Sequence, residues 1–256
     1  RWLRDNGIPF EEMLPFHPFR GMWRRPDLRN HRKIVVVDGE VAFTGSQNMI
    51  DASYNKAGNI RRGLRWKDLM VRVEGPVALG LNALFISDWY SETDELPAVD
   101  SELPDSKTGP DAFQCQVVPS GPGFDGAERG VDVQLFACEV ADQFLVYHAQ
   151  RSYYETLLRA GVRIFLYEKP VVLHSKHFTV DDSVAVIGSS NMDMRSFSLN
   201  LEISIMVRGR EFVKDLRAVE QTYRDVSREL TLEEWMARPI SSRVLDNLAR
   251  LTSAVQ

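Results

Sequence analysis

Cysteine is nearly missing from this chain: only Cys115 and Cys138 occur in 256 residues. Two thiols without metal-ligand spacing exclude a disulfide scaffold and a cysteine-bound metal, and they suit a reducing compartment. No apolar run approaches the roughly 20 residues a helix needs to cross a bilayer, and no signal-peptide pattern opens the chain. A uniformly basic character is missing too. Residues 1 to 67 hold 13 Lys and Arg against 7 Asp and Glu, so within a net charge of −5 the remainder carries −11. That balance argues against a nuclease, whose affinity rests on cations meeting phosphates. The chain opens on Arg1 rather than Met, which makes a fragment or excised domain the expectation. At 44% hydrophobic and 26% charged, the composition is globular, and its length suits one two-lobed unit or two small domains.

What is present is a repeat. His31 to Met49 reads HRKIVVVDGEVAFTGSQNM and His174 to Met192 reads HSKHFTVDDSVAVIGSSNM, identical at 10 of 19 positions without a gap. Ile34 to Val37 and Val41 to Thr44 are β-branched or aromatic runs around Asp38-Gly39, a strong signal for a two-residue hairpin turn. A turn centred there sets Ser46 opposite His31 and Thr44 opposite Lys33, and a turn at Asp181-Asp182 sets Ser189 opposite His174. Side chains alternate along a strand, so each hairpin gathers an imidazole, an ammonium and a hydroxyl on one face, with Asn48 or Asn191 just beyond. Such a cluster suits an anion. Asp38 has the opposite strand parity from His31, which favours turn formation over direct chemistry. A single H-x-K on a strand is ordinary, but two copies of five spaced polar residues are hard to explain by packing.

Around the repeat, Leu3 to Gly7 reads as a helix end. The run from Pro18 to Lys33 interleaves Arg20, Arg24, Arg25, Arg29 and Arg32 with Phe19 and Trp23, either an anionic-lipid contact or a loop of locally paired arginines. Arg61, Arg62 and Arg65 extend the basic face toward the expected pocket. Trp66 to Val73 predicts a strand, and Val77, Leu81, Leu84 and Phe85 the buried stripe of a helix. Ser91 to Ala112 has seven carboxylates, three prolines and one lysine, which predicts an exposed linker. It divides a first lobe, 1–90, from a second, 113–256. In the second, Val131 to Phe136, Val162 to Tyr167 and Leu201 to Val207 read as strands and Asp142 to Arg159 as one helix. Phe212, Leu216, Val219, Tyr223 and Val226 mark an amphipathic helix, and Thr231-x-x-Glu234 a capping box. A last helix is expected to bury Val244, Leu245, Leu248 and Leu251. His17, His148 and His177 read as loop, packing or surface histidines.

The doubled pattern H-x-K-x4-D-x6-G-S-x-N resembles the signature of the phospholipase D superfamily. Asn191-Met192-Asp193-Met194-Arg195-Ser196 with Asn200 and Glu202 looks like the bacterial cardiolipin synthase branch. Trp66-Lys67-Asp68, Val73-Glu74-Gly75-Pro76, Asp88-Trp89, Pro119-Ser120-Gly121-Pro122 and His148 to Tyr154 are similar to the same family. The resemblance implies an α/β fold of mixed sheets, a pseudo-twofold pair of lobes flanked by helices with one catalytic motif in each. It also implies two departures: the first lobe starts after its usual opening strand and helix, and Gly126 to Val131 skips a strand-helix segment that relatives carry.

By the same resemblance the activity is transfer of a phosphatidyl group between two phosphatidylglycerol molecules, giving cardiolipin and glycerol through a covalent phosphohistidine. His31 is implied as nucleophile and His174 as acid and base, with Lys33, Asp38, Lys176 and Asp181 completing the catalytic set. Ser46, Asn48, Ser189 and Asn191 are implied around the phosphate. Asp68 and Glu202 are candidates for orienting the histidines, since a carboxylate partner fixes the tautomer of an imidazole. Histidine suits both roles because its reference pKa of about 6.5 keeps both protonation states accessible near neutrality. No metal or other cofactor is expected. The implied partners are phosphatidylglycerol and other anionic phospholipids at a membrane surface, not nucleic acid, and the implied location is the cytoplasmic face of the cell membrane. Rival readings are a hydrolytic phospholipase D, a superfamily nuclease, and a non-catalytic truncated paralogue.

Overall fold

The computed structural model describes residues 2–14, 16–17, 22–23, 29–97, 112–118, 131–193, 195–196 and 200–251. Most of the expected linker, the Pro119 to Pro122 motif, the shortened stretch near Gly126, and Phe19, Arg20, Arg24 and Arg25 of the basic run lie outside those residues. A short helix, α1 (Trp2–Asp5), and a two-residue antiparallel pair, β1 (Phe16–His17) and β2 (Met22–Trp23), precede the first motif.

Each motif copy folds as an antiparallel hairpin joined by a third strand. The first comprises β3 (Ile34–Val37), β4 (Val41–Gly45) and, beyond α2 (Ala57–Arg62) and β5 (Arg65–Lys67), β6 (Met70–Glu74), in the order β3-β4-β6. After α3 (Pro76–Thr93) come β7 (Gln114–Val118), β8 (Gln134–Cys138), α4 (Phe144–Arg151), α5 (Tyr154–Arg159), β9 (Arg163–Tyr167) and β10 (Val171–Leu173). The second hairpin is β11 (His177–Val180) and β12 (Val184–Gly188), which with β13 (Ser204–Arg208) and β7 makes a four-stranded antiparallel sheet. The chain closes with α6 (Arg210–Asp225), β14 (Ser227–Leu230), α7 (Leu232–Met236) and α8 (Ile240–Arg250). A third sheet, β14-β9-β8, pairs β8 with β9 in parallel.

The two motif sheets share one core. Ala42, Val73, Ala78 and Leu81 from the first copy and its helix pack with Ile203, Ile205 and Val207 of the second. Full burial of each Val, Leu or Ile contributes roughly 1.5–3 kcal/mol. Two backbone seams then cross between the copies. His31 N–H donates to the Leu201 carbonyl at 2.9 Å, and β10 runs parallel to β5, extended by the His174 N–H donating to the Lys67 carbonyl at 2.9 Å.

Four expectations are corrected. Ile34 pairs with Thr44 rather than Phe43, and His177 with Ile187, so both loops hold three residues, 38–40 and 181–183. Asp38 and Gly39 take φ of 52° and 73°, the positive pair of a type I′ turn, and Glu40 enters as an extra residue that shifts the register by one. Trp66 to Val73 is two strands: Arg65–Lys67 pairs with β10 and Met70–Glu74 with β4, leaving Asp68 where the chain changes partner. The helix expected over 142–159 breaks at Ser152–Tyr153 into α4 and α5. The stripe of the last helix faces outward, with Val244 51%, Leu248 58% and Leu251 81% exposed. Its buried side carries Asp246, which accepts from His148 Nδ1 and from Arg238 Nη1, each at 2.7 Å. The side of that helix turned inward thus carries a paired carboxylate and Ala249 instead of the leucines. The capping box is present, with Glu234 N–H donating to Thr231 Oγ1 at 3.1 Å.

Candidate active site

Each seam delivers a histidine from one copy next to a carboxylate from the other. After the Leu201 carbonyl comes Glu202, whose Oε1 and Oε2 both lie 3.0 Å from His31 Nδ1. After the Lys67 carbonyl comes Asp68, whose Oδ1 lies 2.7 Å from His174 Nδ1. A carboxylate at Nδ1 holds the proton there and leaves Nε2 as the ring's free edge. Lys33 Nζ donates to the His31 carbonyl at 2.7 Å, and Lys176 Nζ to the His174 carbonyl at 2.6 Å.

The electrostatics follow from burial. Desolvation pushes the Lys33 ammonium down to about 8, against the pull of Glu202 and Asp68. It pushes Lys176, more deeply enclosed, down to about 7. Burial also lowers His174, partly opposed by the Asp68 hydrogen bond. For Asp68 and Glu202 burial acts upward, but hydrogen bonds from His174 and Ser46, and from His31, Ser189 and Ser196, outweigh it and hold both carboxyls below their usual range. Two carboxylates therefore stay charged beside two lysines whose ammonium form burial disfavours.

The Gly-Ser step of each motif is explained by the neighbouring strand. A Cβ on Gly45 would collide with the Leu69 carbonyl, and one on Gly188 with the Ile203 carbonyl. Ser46 and Ser189, implied as phosphate-binding, are fully buried. Ser46 Oγ donates to Asp68 Oδ1 at 2.8 Å and Ser189 Oγ to Glu202 Oε2 at 2.5 Å. The one-residue register shift turns each hydroxyl toward the carboxylate that holds the other copy's histidine. Asp38 and Asp181 are exposed turn residues with φ of 52° and 50°. Seven residues of extended chain, about 23 Å, separate each from its histidine, so the geometry gives them a turn-forming role instead of a catalytic one. Asn48 Nδ2 donates to the Tyr54 hydroxyl at 2.6 Å. Asn191 N–H donates to Ser196 Oγ at 3.2 Å.

The copies differ beyond the motif. Glu202 accepts from His31, Ser189, Ser196 at 2.8 Å and Asn200 at 3.4 Å, and Ser196 is fully buried. The repeat offset of 143 aligns Ser196 with Ser53, but Ser53 Oγ turns away to Asp51 Oδ1. On that side a cavity of about 190 Å³ opens, lined by Asn48, Ile50, Ala52, Tyr54, Trp66 and Asp68, among others. Tyr54 packs on Trp66 with ring centroids 4.7 Å apart and meets the His174 ring edge-on at 6.3 Å. Tyr54 and Asn55 both hold positive φ, uncommon outside glycine. Sequence reasoning missed Tyr54 and Asp246, and it quoted Ser196 within a motif without giving it the contact to Glu202 that the structure shows.

Of the basic run, Arg32 is not a lipid-facing cation: it pairs with Asp88 at 2.6 Å, and its Nε donates to the Glu202 carbonyl at 3.4 Å. Arg61, Arg62 and Arg65 are exposed. His177 is packed away, its burial lowering it to about 4. No helix among the described residues is long and apolar enough to cross a membrane.

The chain is similar to known proteins over most of its length. Residues 125–222 match the family model described as cardiolipin synthase, PLD-like domain. Cardiolipin synthase A of Proteus mirabilis is 36% identical over 291 residues, covering 96% of this chain and 58% of the relative. Cardiolipin synthase A of Wigglesworthia glossinidia brevipalpis is 33% identical over 285 residues, covering 95% and 57%. The chain thus spans a little over half the length of these relatives. Both alignments exceed the chain's 256 residues, so the relatives carry residues that this chain lacks within the matched span. Among solved structures, phosphatidylserine synthase of Haemophilus influenzae superposes with a TM-score of 0.58 over 91% of this chain and 72% of that one, at 13% identity. That likeness extends to the fold, an α/β arrangement of mixed sheets. By its doubled motif and these relatives, the chain is similar to the cardiolipin synthases, and residues 125–222 carry the match to their PLD-like domain.

Proposed function

We propose that this chain catalyses phosphatidyl transfer, joining two phosphatidylglycerol molecules into cardiolipin with release of glycerol. The observation that carries the reading is the pair of imidazoles held at Nδ1 by carboxylates of the opposite copy, with two half-buried lysines close enough to couple with each other and with His174, in a chain whose relatives are named cardiolipin synthase.

In the first step His31 Nε2 attacks phosphorus. The bond from phosphorus to the glycerol oxygen breaks, and that oxygen takes the proton carried by His174 Nε2. In the second, the terminal hydroxyl of another phosphatidylglycerol attacks the phosphohistidine. Its proton passes to His174, the new phosphorus–oxygen bond forms, and the bond to His31 Nε2 breaks. Atoms and charge balance over the two steps, and each histidine returns to its starting state. Lys33, Lys176, Asn48 and Asn191 surround the phosphate oxygens as charge redistributes, a preorganised electrostatic role. Ser46 and Ser189 act one step removed, by positioning Asp68 and Glu202. Motif copies in lobes 1–90 and 113–256 give the reading its two-lobed organisation. The substrates place it at a membrane surface, on the cytoplasmic face as in the family expectation.

The test is mass spectrometry of lipid products from phosphatidylglycerol vesicles, beside His31→Ala and His174→Ala. Cardiolipin from the parent, abolished in both variants, is the expected result. Phosphatidic acid without cardiolipin would replace transfer by hydrolysis. No turnover by a chain that unfolds cooperatively would overturn the reading for this chain.

A further inference from the structure

The two halves of the site are unequal in a way that the repeat does not require. Glu202 is saturated by four donors and sealed by Ser196. Asp68 receives Ser46 and His174, both on Oδ1, and among the described residues no donor is placed on Oδ2. Asp68 instead lines the 190 Å³ cavity, which reaches His174 through its lining residues Asp68, at His174 Nδ1, and Tyr54, 6.3 Å from that ring, and which is far larger than the roughly 10–15 Å³ that admits one water.

We propose that this cavity is a polyol subsite, which holds the glycerol hydroxyls of the departing alcohol and of the incoming lipid headgroup beside His174. The inference rests on the transfer reading above and says where the alcohol sits. Its lining matches a vicinal diol. Asp68 Oδ2 accepts from one hydroxyl. The Tyr54 hydroxyl, whose lone pair is already engaged by Asn48, keeps its own hydrogen to donate to the next. Burial raises Tyr54 above the ordinary phenol range, which keeps that hydrogen in place. The Tyr54 and Trp66 rings, 4.7 Å apart, offer a flat apolar wall to the carbon chain. Gln47, also at the rim, supplies an amide. In the second copy Ser196, which matches Ser53 in the repeat, instead closes against Glu202. One alcohol site beside one histidine is what an exchange needs, since the leaving and entering alcohols pass through the same acid and base in turn. A water at phosphorus is excluded to the extent that the polyol fills this space.

The test pairs a binding readout with a product readout on the full chain. Saturation-transfer NMR with glycerol, and with propan-1-ol at equal concentration, reports occupancy without turnover. Tyr54→Phe removes one oxygen and Trp66→Leu removes the wall; both are read below their unfolding transitions, and Tyr54→Phe carries the test if Trp66→Leu does not fold. Glycerol is expected to outcompete propan-1-ol in the parent. That preference should fall roughly threefold to tenfold in Tyr54→Phe, the worth of one hydrogen bond. In phosphatidylglycerol vesicles the ratio of cardiolipin to phosphatidic acid should fall by a similar factor. Absence of glycerol saturation in the parent, or equal saturation and equal product ratios in parent and variants, overturns the subsite even if cardiolipin is made. Glycerol saturation that depends on Tyr54, with no cardiolipin formed, supports the subsite and overturns the transferase reading instead.

Discussion

His174 Nδ1 stands 2.7 Å from Asp68 Oδ1, a residue 106 positions earlier and in the other copy of the repeat. His31 and Glu202 make the same cross-copy pair over 171 positions. Neither copy alone contains a histidine with its own orienting carboxylate.

Asp68→Asn and Glu202→Gln therefore should each lower kcat by about 10²- to 10⁴-fold, because an amide at Nδ1 favours the wrong tautomer. Steady-state assays on phosphatidylglycerol vesicles check this. An unchanged kcat in either would remove that carboxylate from the mechanism.

Glu202→Ala should also destabilise the fold, and more than Asp68→Ala. It strands His31, Ser189 and Ser196 around a fully buried position, a loss of roughly 3–5 kcal/mol for a broken buried network. Asp68 has two donors and an edge open to the cavity. Calorimetry of the two variants should show the larger fall in Tm for Glu202→Ala; the reverse order would contradict the asymmetry of the site.

Depression of Lys33 to about 8 and Lys176 to about 7 fixes a pH signature. Below the folded values both lysines are charged in both states and folding bears the full desolvation penalty. Between about 7 and the ordinary lysine value of 10.5 the unfolded chain binds more protons, so stability from these groups rises with pH. Tm should climb over that window, and Lys33→Met with Lys176→Met should flatten the climb. Substrate affinity should run the other way, with KM rising as pH passes about 7 to 8 and the cations are lost.

Gly45→Ala and Gly188→Ala should each cost roughly 1–3 kcal/mol, the usual penalty for forcing an extra carbon into a packed site. The added Cβ meets the backbone of the adjacent strand in both cases, and Gly45 adds a φ of 152°. Urea unfolding measures the loss; variants as stable as the parent would show that the strands are free to separate.

Asp246→Ala should release the last helix by leaving His148 and Arg238 without their buried acceptor, at roughly 3–5 kcal/mol. Leu248→Ala, at an exposed position, should stay within about 0.5 kcal/mol. Hydrogen exchange across residues 240–250 distinguishes this from an apolar anchor, for which Leu248→Ala would be the damaging change.

Those last two substitutions mark where pattern reading failed. A stripe of Val244, Leu245, Leu248 and Leu251 has helical period and looks like a core face, yet a single paired acid decided which side turned inward. Periodicity reports that a helix is amphipathic; it does not weigh a buried carboxylate paired with His148, Arg151 and Arg238 against several leucines. The hairpin register failed for a related reason. Asp38-Gly39 did form the expected positive-φ turn, but Glu40 joined as an extra residue, and one residue is enough to reverse the face of Ser46.

The sequence by itself determined the two hairpins and the spacing of their histidines, lysines and asparagines, because strand period, turn chemistry and an ungapped repeat are local properties written in consecutive residues. Tertiary structure alone decided which carboxylate serves which histidine, which way the serines point, and that one half of the site is sealed while the other opens between Tyr54, Trp66 and Asp68. Those outcomes depend on two parallel seams between segments more than 100 residues apart, and no local pattern encodes how such seams are set in register.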